Sequence, residues 1–193
     1  MTDPRTRRTV AALRAALRES LADRPLDAIS VSELCRVAGV RRTTFYTHHD
    51  SVGELLSAML VEEIDAPLGV PDTTGMSIAE VGAEFHETLV EAIRVVARDR
   101  PIFRAAFESS TSSLFRRSLE ATFTGRVEIA LEIWRSHGVA LDVLEHVAVP
   151  FTAAGLAGAF EAWAVSDGED PVAWADSVLD QMPPWWPRGA GSA

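Results

Sequence analysis

The sequence predicts an all-α protein in which an N-terminal three-helix domain with a helix-turn-helix is followed by a larger helical domain. Three observations support this prediction. Almost every segment of the 193 residues carries apolar side chains at helical spacing. No segment shows the alternation of apolar and polar residues that is typical of a strand. Two short helical segments meet at Gly39, which suits a tight turn between packed helices.

Capping residues and helix breakers set the boundaries of the N-terminal helices. Asp3 and Pro4 begin the first helix, which ends before Pro25. Ser30 and Ser51 each precede a Glu by three residues, and this is the pattern of a capping box. The predicted helices therefore cover residues 3–24, 30–39, about 41–48 and 51–64.

Residues 67–75 hold two Pro and two Gly and form the strongest break in the chain. Helices are predicted beyond it over residues 77–99, from Pro101, over 111–137, over 142–165 and from Pro171. The predicted domains are a helix-turn-helix domain (residues 1–50), a linking helix (51–66), a helical domain (67–187) and a disordered tail (188–193).

The charge of the chain is unevenly distributed. Residues 1–48 hold nine Arg and five acidic residues, a net charge of +4, whereas the rest holds nine Arg and 23 acidic residues, a net charge of −14. A basic end on an acidic body is typical of a protein that contacts a polyanion with one face. No apolar leader follows Met1, and the single Cys35 cannot form an intrachain disulfide, so we expect a cytoplasmic protein.

The segment after Gly39 carries side chains that suit DNA. Leu34, Val40 and Phe45 have the spacing to hold two helices together, which leaves the polar side chains outside. An Arg that begins such a helix can bond guanine O6 and N7 through two hydrogen bonds, and hydroxyls suit phosphate oxygens. The predicted DNA contacts are Arg41, Arg42, Thr44, Thr47 and His48, with a basic arm of Arg5, Arg7 and Arg8 that follows the backbone or enters the minor groove.

Residues 30–40 (SVSELCRVAGV), followed by Thr44-Phe45-Tyr46-Thr47-His48, Ser51 and Leu55-Leu56, resemble the TetR family of bacterial transcriptional regulators. The resemblance covers roughly the first third of the chain. It implies a ligand-binding body, a homodimer formed by the last two long helices, and a regulator, more often a repressor, that binds a near-palindromic operator. It adds Ser32, Thr43 and Tyr46 to the predicted DNA contacts.

Two positions depart from the family pattern. Val52 stands where the family usually has a Lys that contacts a phosphate, and His49 stands where it usually has an aromatic residue.

Apolar and aromatic residues concentrate in the middle helices. Most of them are expected in the core, and the resemblance implies that some line a cavity for a small apolar or amphipathic effector. The candidate pocket residues are Met59, Phe85, His86, Leu89, Phe103, Phe107, Phe115, Phe123 and Trp134.

Small residues within the apolar segment 147–165 would let two helices approach closely in a symmetric dimer. The predicted interface residues are Ala154, Gly155, Gly158, Ala159, Trp163, Val172 and Leu179. The same segment has the length of a membrane span, but Pro150, Glu161 and the lack of flanking basic residues argue against that interpretation.

Catalysis finds little support in the sequence, and we expect no metal and no cofactor. His86-Glu87 lacks the second His of a zinc-protease helix, and Asp142 with His146 fits an ordinary surface pair one turn apart. Two alternatives stay open. One is a helical small-molecule-binding protein with weakened or lost DNA binding, which Val52 suggests. The other is a small helical enzyme that acts through His86 or His146.

Overall fold

The computed structural model describes residues 4–70 and 72–187. Within these residues the chain forms nine α-helices and a short 3-10 turn at Leu26–Ala28, and no strand. The helices are α1 (Pro4–Asp23), α2 (Val31–Ala38), α3 (Arg42–Phe45), α4 (Val52–Asp65), α5 (Ile78–Arg98), α6 (Arg100–Glu108), α7 (Ser112–Ser136), α8 (Glu145–Val165) and α9 (Pro171–Asp180). The predicted all-α fold is confirmed. The predicted cap Asp3 and the predicted disordered tail lie outside the described residues.

Local capping explains most of the helix boundaries. Ser30 and Ser51 accept hydrogen bonds from the backbone N–H groups of Glu33 and Glu54, as expected for N-caps. The reciprocal half of each predicted capping box is absent, because Glu33 pairs with Arg24 and Glu54 accepts a bond from the Asp50 N–H.

A complete capping box begins α5 instead. The Ser77 N–H donates to the Glu80 carboxylate at 2.7 Å, while the Glu80 N–H donates to Ser77 Oγ at 3.4 Å. The last helix, α9, begins with Asp170 as its cap and Pro171 in its first turn, as the sequence predicts.

Helix α3 is shorter than the predicted range of residues 41–48. After Phe45 the backbone changes from α-helical to 3-10-type hydrogen bonding, because the N–H groups of Thr47 and His48 donate to carbonyls three residues back instead of four. Residues 46–48 therefore form a turn that continues the direction of the helix.

A continuous core joins the N-terminal helices to the rest of the molecule. Leu13, Leu17, Leu34 and Phe45 are fully buried between α1, α2 and α3. Helix α4 packs on α7 and on α1, α7 runs along α8, and α9 packs on α5. Helix α4 therefore joins the three-helix unit to the body, because it packs on helices of both.

Polar contacts also link the three-helix unit to the body. Arg18 in α1 donates to Glu63 at 2.6 Å and to Asp99 at 2.8 Å. Asp27 accepts hydrogen bonds from the backbone and hydroxyl of Ser110, in the loop between α6 and α7. The contacts of Arg18 with Asp99 and of Asp27 with Ser110 join the part of the chain before α4 to the part after it, and they fix the three-helix unit against the body.

Helix α8 is the one helix among the described residues that is long and apolar enough to cross a membrane. One of its faces packs in the core through Val149, Ala153, Leu156 and Phe160. Its opposite face is exposed, and both observations fit a core helix with one uncovered side.

Candidate nucleic-acid interface

The turn between α2 and α3 depends on the backbone of Gly39. Its φ of 65° lies in the left-handed region, and a Cβ placed there would meet no atom within 4 Å. Backbone conformation, not space, therefore requires glycine here. The next N–H, that of Val40, donates to the Cys35 carbonyl at 2.9 Å and redirects the chain into α3.

Phe45 anchors α3 in the core and thereby sets which residues face outward. Its side chain is 0% exposed, and the Tyr46 ring packs edge-on against it at 5.5 Å between centroids. Tyr46 itself is 48% exposed, and the Arg42 guanidinium lies 6.0 Å from its ring. The predicted role of Leu34, Val40 and Phe45 as the apolar contact between the helices is confirmed by their packing.

Most of the polar residues predicted to contact DNA are exposed. Ser32, Arg41, Arg42, Thr43, Tyr46 and Thr47 are exposed, whereas Thr44 and His48 are half-buried. The Thr47 hydroxyl donates to the Thr43 carbonyl at 2.9 Å, which fixes its side chain against the turn.

Arg5, Arg7 and Arg8, the predicted basic arm, are exposed. They belong to the first two turns of α1, because Pro4 begins that helix and suits its first turn. The three guanidinium groups therefore lie on the helix that the sequence predicts to begin here, and their contact with DNA stays a prediction.

Arg41 and Arg42 form no salt bridge with any residue of ranges 4–70 and 72–187. Salt bridges hold arginines elsewhere in these ranges, namely Arg14, Arg18, Arg24, Arg94, Arg104, Arg116, Arg126 and Arg135. The guanidinium groups of Arg41 and Arg42 are thus available to an external anion, as are those of the exposed Arg36 and Arg117.

The two departures from the family pattern are both packed inward. Val52 is 7% exposed and belongs to the core, so it offers no side chain to a phosphate. His49 is half-buried against Phe45, with ring centroids 6.0 Å apart. Burial lowers the pKa of His49, because desolvation disfavours the charged imidazolium.

The body contains an apolar cleft between α5, α7 and the C-terminal segment, with a free volume of about 60 Å³. We call it the body cleft. Its lining consists of Leu68, Gly69, Val70, Phe85, Thr88, Leu89, Phe123, Arg126, Val127, Ile129, Leu156, Leu179, Met182 and Trp186.

Only part of the predicted pocket lies in this cleft. Phe85, Leu89 and Phe123 line it, and Trp134 packs behind Phe85 with ring centroids 4.7 Å apart. Met59, Phe103, Phe107 and Phe115 are buried in the core and are not part of its lining. His86 points elsewhere, since its Nε2 lies 2.8 Å from Asp176.

Sequence reasoning missed Arg126 and Trp186 as cleft residues. Arg126 is one of four arginines in α7, and the helical period of the sequence does not indicate which neighbouring helix each of them faces. The signal for Trp186 was the run Pro183-Pro184-Trp185-Trp186-Pro187, whose aromatic residues had no helix to belong to. In the structure Trp186 is 7% exposed and contacts the rings of Phe85 and Trp134.

The exposed face of α8 is apolar along most of its length, and we call it the α8 apolar surface. It consists of Val147, Phe151, Ala154, Gly155, Gly158, Ala162 and Val165, with Ala159 half-buried beside it. Phe151 is 71% exposed, and Val172 of α9 is 39% exposed. Leu179 is half-buried and belongs to the body cleft.

Trp163 does not belong to this surface, and its predicted place in the interface is wrong. It is 1% exposed, and its indole N–H donates to the Ile93 carbonyl at 3.1 Å. The Arg100 guanidinium and the Trp174 ring cover it from outside. The Trp163 ring is therefore covered, and its indole N–H is hydrogen-bonded, within a single chain.

No group of three or more His, Cys, Asp or Glu residues that could hold a metal occurs within the part of the chain that the structure describes. Cys35 is buried, and burial raises the pKa of its thiol.

Comparisons with known proteins give no sequence relative but clear structural ones. No protein-family model matches the chain, and no curated protein matches it significantly. Among solved structures, the dihydroxyacetone kinase operon activator DhaS aligns with a TM-score of 0.62 at 14% identity, over 89% of this chain and 92% of that one.

Two repressors align similarly. NalD, the secondary repressor of the MexAB-OprM multidrug efflux pump in Pseudomonas aeruginosa, has a TM-score of 0.56 at 16% identity, over 90% of this chain and 94% of its own. The TetR family repressor AlkX from Dietzia, implicated in biodegradation of n-alkanes, has a TM-score of 0.53 at 16% identity, over 88% and 92%. Together with the helix-turn-helix geometry, these alignments show that the chain has the fold of TetR-family regulators.

Proposed function

We propose that this chain is a ligand-responsive, DNA-binding transcriptional regulator, a repressor, that binds a near-palindromic operator as a cytoplasmic homodimer. The observation that carries the proposal is the exposed surface of α3, where Arg41 and Arg42 have no salt-bridge partner within the described residues. Exposed guanidinium groups without a salt-bridge partner, with hydroxyl groups beside them on a short helix after a glycine turn, suit the recognition of a DNA major groove.

Base recognition is assigned to the start of α3. Arg41 precedes the helix and Arg42 begins it, so both reach beyond its N-terminus toward a groove floor. Thr43, Tyr46 and Thr47 provide hydroxyl groups for phosphates or base edges. Arg5, Arg7 and Arg8 on α1 supply further positive charge for the backbone, and Ser32, Thr44 and His48 complete the contact surface.

A second copy is expected on the α8 apolar surface. An exposed apolar stripe of this length is unusual on a monomer and marks an interaction face. Gly155 and Gly158 would allow two copies of α8 to approach closely around a twofold axis, with Val172 of α9 at the margin. Such a dimer would present two α3 helices to half-sites about one helical turn apart.

Effector response is assigned to the body cleft. Its walls belong to α5, α7 and the C-terminal segment, and α7 packs on α4, whose first residue follows the DNA-contacting turn. A small molecule that binds one arrangement of these helices better than another would change the spacing of the two α3 helices.

Selection from random DNA tests the proposal. Immobilised full-length protein is expected to enrich a near-palindromic site, whose affinity is then measured by fluorescence anisotropy. Arg41→Ala or Arg42→Ala should weaken binding about 5- to 150-fold, since a bidentate base contact contributes about 1–3 kcal/mol of discrimination. Arg117→Ala, which removes an exposed positive charge on α7, is the matched control and should leave the affinity unchanged.

A second candidate is a helical small-molecule-binding protein that has lost DNA binding, and the burial of Val52 favours it. The two candidates differ in salt dependence. A DNA-binding protein that neutralises several phosphates loses affinity steeply as salt rises. Absence of any enriched sequence and of any salt-dependent binding would support the second candidate and overturn the first.

A further inference from the structure

The body cleft has an unusual lining, in which one residue is charged. Its walls are apolar except for Thr88 and Arg126. The Thr88 hydroxyl donates its proton to the Phe85 carbonyl at 2.9 Å, so it has no proton left to donate to a ligand. Arg126 is therefore the side chain in this lining that can donate hydrogen bonds to a ligand.

Arg126 connects the cleft to the end of α4. Its Nε donates to the Asp65 carboxylate at 2.7 Å, and its Nη2 lies 3.4 Å from the Asp65 carbonyl. Asp65 is the last residue of α4, and the 14 residues of this helix span about 21 Å. The other end of α4 begins directly after the turn that follows α3.

We propose that the body cleft takes a small apolar carboxylic acid, whose carboxylate binds the Arg126 guanidinium in competition with Asp65. The apolar part of the ligand lies against Phe85, Leu89 and Phe123. This assignment names the ligand class of the cleft described above, and its regulatory consequence rests on the proposed function.

The chemistry of the guanidinium selects this ligand class. Arginine binds carboxylates through paired, charge-assisted hydrogen bonds, and an apolar surround strengthens them. Asp65 accepts from Nε and Nη2 of Arg126, so a ligand carboxylate that binds this pair of donors must displace it. An alcohol makes weaker bonds to the same group, and an amine is repelled by it.

Ligand entry requires the cleft to widen. Its free volume of about 60 Å³ holds only a few water molecules. Trp186 forms part of the wall and lies in a segment outside the helices, so its displacement breaks no helical hydrogen bond. Displacement of this ring from Phe85 and Trp134 would change tryptophan fluorescence, which makes binding measurable.

Competition with Asp65 supplies a route to the DNA-contacting unit. When the ligand carboxylate occupies Arg126, the last turn of α4 loses its ion pair with α7, while the packing of the two helices remains. Loss of this ion pair weakens the hold of α7 on the C-terminal end of α4, so that α4 and the three-helix unit it carries can change their angle on the body. The liganded state is therefore expected to bind the selected DNA less tightly.

Binding of octanoate, 1-octanol and octylamine to the full-length protein tests the assignment, by tryptophan fluorescence and calorimetry. Octanoate should bind at least ten-fold tighter than 1-octanol, and octylamine should bind most weakly. Arg126→Gln should abolish the preference for octanoate, whereas Arg117→Gln, on the same helix, should keep it. Asp65→Asn removes the competing charge and should tighten octanoate binding several-fold.

Equal binding of octanoate and 1-octanol by the natural chain would overturn the assignment, as would an undiminished preference in Arg126→Gln. Should Arg126→Gln fail to fold, an unchanged octanoate affinity in Asp65→Asn would overturn the competition. DNA titrations separate the two proposals. If octanoate binds but no DNA is enriched, the proposed function fails and the ligand class stands. If DNA is enriched and octanoate does not bind, the ligand assignment fails alone.

Discussion

The contact between Gly53 and Thr111 gives a prediction whose sign opposes helix propensity. Gly53 is the second residue of α4, and Thr111 lies in the loop between α6 and α7. A Cβ added at Gly53 would lie 2.6 Å from Thr111 Oγ1, 2.7 Å from Cγ2 and 2.8 Å from Cβ. Because Thr111 Cβ is attached directly to the backbone, rotation of the side chain cannot relieve this clash.

Two opposing terms set the size of the effect of Gly53→Ala. Replacing Gly by Ala in a helix usually gains up to about 1 kcal/mol. Overpacking a close contact costs about 1–3 kcal/mol. The variant is therefore expected to lose about 0–3 kcal/mol of unfolding free energy, although the same change elsewhere in a helix would stabilise the protein.

Urea unfolding of the full-length protein, followed by circular dichroism, measures this difference. Gly125→Ala in α7 is the matched control, because its Cβ would meet no atom within 4 Å, and it should raise the unfolding midpoint. In a Thr111→Gly background the clash is absent, so the double variant Gly53→Ala/Thr111→Gly should have a higher unfolding free energy than Thr111→Gly alone. If Gly53→Ala stabilised the protein as much as Gly125→Ala does, α4 would not approach the loop as described, and the reasoning would fail.

Two further predictions concern His49 and Phe151. Because burial lowers the pKa of His49, the unfolded chain binds a proton there more readily, so this residue's contribution to stability falls as pH decreases below its ordinary pKa near 6.5. Between pH 7.5 and pH 5.5 the unfolding free energy of His49→Phe should therefore fall by less than that of the natural chain. Equal decreases in the two proteins would contradict this. Phe151→Glu places a charge on the α8 apolar surface and should convert the dimer into monomers in sedimentation velocity runs, whereas Glu169→Gln should not; an intact Phe151→Glu dimer would place the interface elsewhere.

Local signals predicted the N-terminal unit well. Gly39, the N-cap serines and the spacing of Leu34 and Phe45 act within a few residues of one another, so the sequence alone specifies their effect. Pro4 begins α1 as the sequence predicts, so the three arginines of the predicted basic arm lie on its first two turns. The shortened end of α3 arises from a backbone change after Phe45 that no single residue type announces.

The body was predicted less completely, because helical period gives the buried face of a helix but not the helix that covers it. Phe103 and Phe115 are core residues as their pattern requires, yet they pack away from the body cleft. Trp163 lies beneath Arg100 and Trp174, which come from other helices. Trp186 reaches the cleft through an irregular segment, where no periodicity applies.

The most direct test of the central claim is the distance between the two copies of α3 in the DNA complex. Val37→Cys in a Cys35→Ser background places one spin label on the exposed surface of α2 in each chain, beside α3 and outside the proposed DNA contacts, and pulsed electron paramagnetic resonance measures the separation of the labels on the selected duplex. We predict a single distance near one helical turn of DNA, about 34–36 Å plus the reach of the labels. Absence of any dipolar coupling between labels, or a distance that two adjacent major-groove segments cannot span, would contradict the account.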